Sequence, residues 1–210
     1  MKETILNHPL IDHKISILRN YNTGTKEFRE LISEISTILI YEAMRDAKLQ
    51  EIKVTTPLGE TKGYCLDEDE YAFIPILRAG LGMVEGVLKI LPNAKIGHIG
   101  LERNEETLAA DSYYYKVPSN IGNRTVFLLD PMLATGGSAV AAIDALKNAG
   151  VKNIKFIAIL SAPEGIDHVK KHHPDVAIYS ATLESHLNDK GYIVPGLGDA
   201  GDRIFGTNCS

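Results

Sequence analysis

Three stretches of this sequence combine charge, hydroxyls and glycine in ways that suit chemistry on a charged substrate. In the first, the apolar run RTVFLLD ends at Asp130, and Pro131-Met132-Leu133-Ala134 separates that acid from Thr135-Gly136-Gly137-Ser138. An amphipathic stretch follows. Glycines let a backbone approach an anion closely, and the free N–H groups of a helix start point at it. Thr135 and Ser138 add hydroxyl donors, so the segment reads as a cradle for one phosphate. Asp130, at its mouth, is placed to accept bonds from sugar hydroxyls. Taken alone, TGGS is equally compatible with an ordinary strand–turn–helix cap. It has neither the lysine of the P-loop nor the spacing of the dinucleotide fingerprint.

The second stretch is PILRAGLGM, where Arg78 follows an apolar run and precedes Gly80 and Gly82. A guanidinium at a strand end suits the paired charges of a diphosphate. A surface arginine making a structural bridge is the competing reading. The third, VPGLGDAGDRIFGT, sets Gly196, Gly198 and Gly201 around Asp199 and Asp202. Its glycines exclude regular structure over several residues and leave backbone donors and acceptors open to a ligand. Asp202 and Arg203 read as a local structural pair. Two weaker features complete the inventory. Arg103 opens the polar, aromatic segment RNEETLAADSYYYKVP, where a solvated loop arginine is the default and Tyr113, Tyr114 and Tyr115 form either a wall or an exposed hairpin. His168 and His172, with His173 adjacent, could be half a metal site, but no third ligand is near and a solvated face is preferred.

These residues need a scaffold, and the apolar rhythm supplies one. YAFIPIL, AKIGHIGL, RTVFLLD, IKFIAIL and VAIY read as strands, alternating with helices over 81–91, 138–149 and 164–172. That alternation implies βαβ units and a mainly parallel sheet covered on both faces. Upstream, Ile11, Ile15 and Leu18 share one helical face. A second helix starts at Thr25 as its N-cap and repeats Phe28, Leu31, Ile32, Ile35 and Leu39. EIKVTTPLGETKG reads as a hairpin. Segments 103–118 and 181–210 lack a clear period and are expected to be irregular binding loops.

Composition narrows the class. The chain has 210 residues, 44% hydrophobic, which suits one sizeable domain with an attached flap. With 22 basic against 27 acidic residues and a net charge of −5, a nucleic-acid backbone is not an expected partner. Cys65 and Cys209 form no ligand pattern and are expected to stay as thiols in a reducing compartment. The N-terminus does not read as a signal peptide, and no run approaches a membrane span, so a soluble cytoplasmic protein is expected.

The segments HPLIDHK, FIPILRAGLGM, GHIGLERNEET, DPMLATGGS, APEGI and GYIVPGLGDAGDRIFGT, running in order from His8 to Thr207, resemble the uracil phosphoribosyltransferases. The resemblance implies an α/β, type I phosphoribosyltransferase-like fold. Its mainly parallel sheet would carry a flexible flap at about 102–118 and a C-terminal base-binding hood at about 181–210. It implies transfer of the phosphoribosyl group of 5-phospho-α-D-ribose 1-diphosphate (PRPP) to uracil, giving UMP and diphosphate. PRPP would be held by Arg78, Arg103, the run Asp130, Pro131, Met132, Leu133, Ala134, Thr135, Gly136, Gly137 and Ser138, and by Asp199. Uracil would lie against Ile193, Gly198, Asp199 and Ala200, and Arg78, Arg103 and Asp199 would be the catalytic candidates. It further implies Mg²⁺ carried in by the substrate without a direct protein ligand, activation by GTP in some members, and a homodimer or higher oligomer. Two departures bear on regulation and subunit contacts: Met44 stands where a threonine is expected, and Ser185 where an acidic residue is expected nearby.

Overall fold

The computed structural model describes residues 2–103 and 110–207. A short strand β1 (Glu3–Ile5) leads into two helices, α1 (Pro9–Arg19) and α2 (Thr25–Ala43). Proline at the first turn and the His8 side chain, accepting the Leu10 N–H at 3.1 Å, start α1. α2 begins one residue earlier than its side chains suggest. Gly24, not Thr25, is its N-cap, and no side chain caps it. The apolar faces read from the sequence are the buried ones: Ile11, Ile15 and Leu18 in α1, and Phe28, Leu31, Ile32, Ile35 and Leu39 in α2.

A hairpin of β2 (Leu49–Thr56) and β3 (Gly59–Leu66) stands off the main sheet as its own antiparallel ladder. The α/β repeat then runs through β4 (Tyr71–Leu77), α3 (Leu81–Ile90), β5 (Lys95–Ile96), β6 (His98–Arg103), β7 (Ala110–Lys116), β8 (Thr125–Leu129) and β9 (Met132–Leu133). It continues with α4 (Gly137–Asn148), β10 (Asn153–Ser161), α5 (Pro163–His172) and β11 (Ala177–Leu183). The chain closes with a small ladder of β12 (His186–Leu187) and β13 (Ile193–Val194), then α6 (Ala200–Phe205).

Among the described residues the main sheet has the order β1-β11-β10-β8-β4-β6-β7, with β5 beside β4 and β9 beside β10. Every pairing in it is parallel except β6 with β7. Strand alternation divides the core in two. Phe127 and Leu129 of β8 join the layer under α1, α2 and α3, while Val126 and Leu128 join the layer under α4 and α5. Both faces are covered, which is why the central strands read as unbroken apolar runs.

Two segments expected to be irregular are partly regular. In 103–118, Ala110–Lys116 is an edge strand antiparallel to β6, with a register shift at Gly100/Leu101. Its three tyrosines are 51%, 44% and 41% exposed, so the hairpin reading holds, and a strand with so little apolar alternation is invisible to periodicity. The residues of the expected flap at 104–109 lie outside the described ones. In 181–210, β11 extends to Leu183, and β12, β13 and α6 follow. Among the described residues no helix is long and apolar enough to cross a membrane. Cys65 is an exposed free thiol, and Cys209 lies outside the described residues.

Candidate active site

In an open parallel sheet, ligands bind beyond the carboxyl ends of the strands. β8 ends at Leu129, and the residues after it do not leave the sheet at once. The Asp130 N–H donates to Ile157 O at 3.1 Å, and Pro131 O accepts the N–H groups of Ile159 and Leu160 at 3.0 and 2.9 Å. Met132–Leu133 then pairs with β10 as β9, and the Ala162 N–H donates to Leu133 O at 2.8 Å. The first half of the expected loop is therefore a strand extension. Leu133 is 1% exposed, so only its backbone can face a ligand.

The second half turns sharply. Gly136 sits at φ +81 as the N-cap of α4, and no side chain caps that helix. A side chain at Gly136 would also press on Gly165 O at 2.9 Å, so this position needs glycine for both torsion and space. Gly137 differs. A Cβ there would meet only Thr135 Oγ1, at 3.7 Å, and otherwise faces open space. With Thr135 and Ser138 exposed on either side, the start of α4 offers backbone N–H groups and hydroxyls to an anion. Asp130, at the foot of this turn, is half-buried. Loss of solvation pushes its carboxyl up to about 7, opposed in part by the Met132 N–H at 3.4 Å.

The Arg78 turn comes up against the same strand end. A Cβ at Gly80 would lie 2.5 Å from Leu129 O and 2.7 Å from Ile76 O, so only glycine lets the turn pack there. The Leu77–Arg78 peptide is cis. Arg78 Nη2 is 3.3 Å from Asp202 Oδ1 and the guanidinium lies 6.0 Å from the Phe205 ring centroid, yet the side chain stays 56% exposed. The structural bridge weighed against a ligand role is thus present, and it joins the Arg78 turn to the C-terminal tail. Asp199 closes the link: its carboxylate caps α6 by accepting the Asp202 N–H at 2.8 Å, and a Cβ at Gly201 would sit 3.3 Å from Asp199 Oδ1 and 3.9 Å from Arg78 Nη2.

The tail is anchored by groups that the sequence does not advertise. Glu184, 5% exposed, takes the Arg19 guanidinium on both carboxylate oxygens, one of them with Arg19 Nη1 at 2.8 Å, and accepts the Gly196 N–H at 3.2 Å. Arg203 bonds main-chain carbonyls. Its guanidinium donates to Leu18 O, Leu197 O and Asn20 O at 2.8, 2.9 and 2.7 Å and packs 4.3 Å from the Phe28 ring centroid. Asp202 instead faces Arg78 and accepts the Thr207 hydroxyl at 2.5 Å. Ile193 is 5% exposed with its side chain in the core, so a base can meet only its backbone. Gly198, at φ +81, has nothing within 4 Å of where a Cβ would be. A Cβ at Gly191 would lie 3.6 Å from Thr135 Cγ2, so the tail runs beside the turn.

The structure therefore gathers Arg78, Asp130, Thr135–Ser138 and Asp199 at one end of the sheet. Arg103 ends β6 opposite Ala110, and its side chain lies outside the described residues. His172 is exposed and His168 partly so, as a solvated face requires, but His173 is not on it. His168 Nδ1 lies 2.7 Å from Thr135 O, His172 Nδ1 lies 2.9 Å from His168 O, and His173 is buried. Burial lowers the His173 pKa, with Lys147 adding to that and Asp144, 3.3 Å away, opposing it. Among the described residues there is no group of three or more His, Cys, Asp or Glu side chains that could hold a metal.

The sequence profile of the family described as Uracil phosphoribosyltransferase matches residues 5–207. The chain belongs to that family. A uracil phosphoribosyltransferase of Dictyoglomus thermophilum is 58% identical over 203 residues, covering 97% of this chain and 98% of the relative. One from Levilactobacillus brevis is 55% identical over 206 residues, covering 98% and 99%. Among solved structures, a protein of Aquifex aeolicus superposes with a TM-score of 0.93 at 40% identity, covering 98% of this chain and 99% of that one. A hypoxanthine-guanine phosphoribosyltransferase of Bacillus anthracis superposes at 0.52 with 17% identity, over 76% of this chain and 80% of that one, a likeness of fold. The family membership and that likeness agree on a type I phosphoribosyltransferase fold, a mostly parallel sheet flanked by helices.

Proposed function

We propose that the chain transfers the phosphoribosyl group of PRPP to uracil, giving UMP and diphosphate. The observation that carries this reading is the convergence of Arg78, Asp130, the glycine turn before α4 and the Asp199 loop at one sheet end, in a chain of this family. In this reading the start of α4, with Thr135 and Ser138, takes the 5′-phosphate. Asp130 accepts a bond from a ribose hydroxyl. The backbone of Ile193 and of 198–200 matches the uracil edge, which presents two carbonyl acceptors flanking one N–H donor.

Charge grows on diphosphate as its bond to the anomeric carbon breaks, and preorganised cations at that point lower the barrier. Arg78 is assigned this task. Its bridge to Asp202 is long and largely exposed, so exchanging it for a diphosphate costs little. Arg103, at the end of β6, is assigned to the same group. Asp199 is the carboxylate proposed to receive the proton that uracil loses. Asp130 and Asp199 are the carboxylates proposed to face, through water, an ion brought in by the substrate phosphates. Mg²⁺ would supply charge neutralisation of the diphosphate.

The proposal treats the chain as one catalytic domain working in a reducing, cytoplasmic setting, which the exposed Cys65 thiol fits. It extends to self-association. The β2–β3 hairpin exposes Leu49, Ile52 and Tyr64, and beside it Tyr41, Met44, Leu49, Leu66 and Ile90 line an apolar groove of about 420 Å³. Met44, a departure from the family pattern, thus falls where a second copy would sit. Activation by GTP is the remaining part of the proposal, and it rests on the family alone. Diphosphate release with uracil, cytosine, adenine and orotate in turn, with and without GTP, tests the activity. Release with cytosine or adenine at the uracil rate would overturn it.

A further inference from the structure

We infer that His168 is a positioning residue for the phosphate-binding turn, acting through the peptide that joins Thr135 to Gly136. The inference rests on the proposed phosphate role of that turn. Thr135 O can only accept, so the 2.7 Å contact requires His168 Nδ1 to carry the proton and donate it. The ring is held in turn on its own helix, where His172 Nδ1 bonds His168 O at 2.9 Å and the two rings meet edge to face at 4.7 Å. α5 is packed tightly here. The Cβ of His168 lies 3.1 Å from where a Gly136 Cβ would be, and Gly165 leaves room for nothing against Leu133 O and Ala134 O.

A trans peptide points its C=O and its N–H in opposite directions. Drawing the Thr135 carbonyl towards α5 therefore aims the Gly136 N–H away from α5. If that peptide turned over, a carbonyl oxygen would replace an N–H on the other side, and an oxygen repels an anion where an N–H binds it. Glycine at position 136, already at φ +81, leaves this peptide freer to rotate than one between two side-chain-bearing residues. His168 removes that freedom before the substrate arrives. It touches no substrate in this scheme and does not take part in bond making.

The test compares His168→Ala, His168→Asn and Gly137→Val by steady-state kinetics in both substrates, with thermal midpoints measured alongside. Losing one neutral hydrogen bond corresponds to about a three- to tenfold change in affinity. His168→Ala is expected to raise KM for PRPP by that factor, with KM for uracil and the midpoint unchanged. Asparagine carries an N–H donor close to the place of Nδ1, so His168→Asn is expected to recover PRPP KM to within about twofold. The inference is overturned if His168→Ala leaves PRPP KM unchanged while Gly137→Val raises it. It is also overturned if the asparagine variant is as impaired as the alanine one, or if uracil KM rises equally. If neither Gly137→Val nor His168→Ala affects PRPP, the phosphate assignment of the turn itself is wrong.

Discussion

The glycine turn before α4 and the C-terminal tail run close together at Thr135 and Gly191, yet they are held by different forces. Residues 130–133 are held by backbone bonds to β10 and the residue after it, a ladder indifferent to side-chain identity. The tail is held by two arginines. Arg19 pairs with buried Glu184, which fixes Gly196, and Arg203 ties Leu197 to the end of α1. A backbone ladder can lose a side chain and keep its shape. A buried ionic hub cannot, because removing one partner strands the other's charge. On the proposed function, the turn should therefore fail by losing affinity for phosphate, and the tail by losing its fold.

The largest effect is expected in base choice, because the tail would read uracil with backbone groups. Cytosine would leave a backbone acceptor facing a ring lone pair, and an unpaired group of this kind can reject an analogue by about 10⁴-fold. Competition assays should show that discrimination, with 5-fluorouracil accepted because its altered edge is not read. Discrimination below about tenfold would mean that side chains, not the backbone, choose the base.

Next comes stability. Arg19→Met should cost roughly 3–5 kcal/mol in urea unfolding by leaving Glu184, whose side chain is 1% exposed, uncompensated, and combining it with Glu184→Leu should restore much of that. An Arg19→Met protein of wild-type stability would erase the contrast drawn above. At the diphosphate, Arg103→Ala should act mainly on turnover, about ten- to a hundredfold, as expected for one charge-assisted bond formed late. Arg78→Ala should lower turnover and raise PRPP KM together, since Arg78 already stands at a rigid strand end. Wild-type kcat and KM in either variant would remove that arginine from the site.

The smallest effect is a pH dependence at Asp130, whose carboxyl is raised from 3.8 to about 7 by burial. Between those values the folded protein holds a proton that the unfolded chain releases. Asp130 therefore costs stability progressively as pH rises through that window, and the cost is constant above it. Asp130→Asn lacks this contribution. Its stability relative to wild type should be greater at about pH 8 than at about pH 5, read by urea unfolding. An equal difference at both would mean that the carboxyl titrates normally.

Much of the site was legible because its determinants are local. Asp130, the glycine turn and Arg78 each sit where an apolar run stops, so the run that makes the strand also marks its functional end. Gly136 and Gly80 follow from the same logic: a positive torsion and a close approach admit no other residue. The tail was legible only in part. Glycines announced open backbone, but α6 is six residues long and its cap, Asp199, also reads as a ligand. Nor does YYYK signal a strand, since β7 is an edge held by hydrogen bonds to β6 rather than by apolar alternation.

What the sequence determined by itself is the alternation of the central strands with helices, the two-sided burial of the sheet and the glycine turn before α4. Each rests on neighbours within a few positions, where periodicity and torsional preference act. Tertiary structure alone decided how the C-terminal tail is held. Arg19 and Glu184 are 165 positions apart, Arg203 reaches carbonyls at Leu18 and Asn20, and His168 meets Thr135 across 33 positions. No local pattern encodes such pairings. They arise because burial of the apolar faces brings the end of α1, α5 and the tail together, and buried polar groups then take the partners that remain within reach.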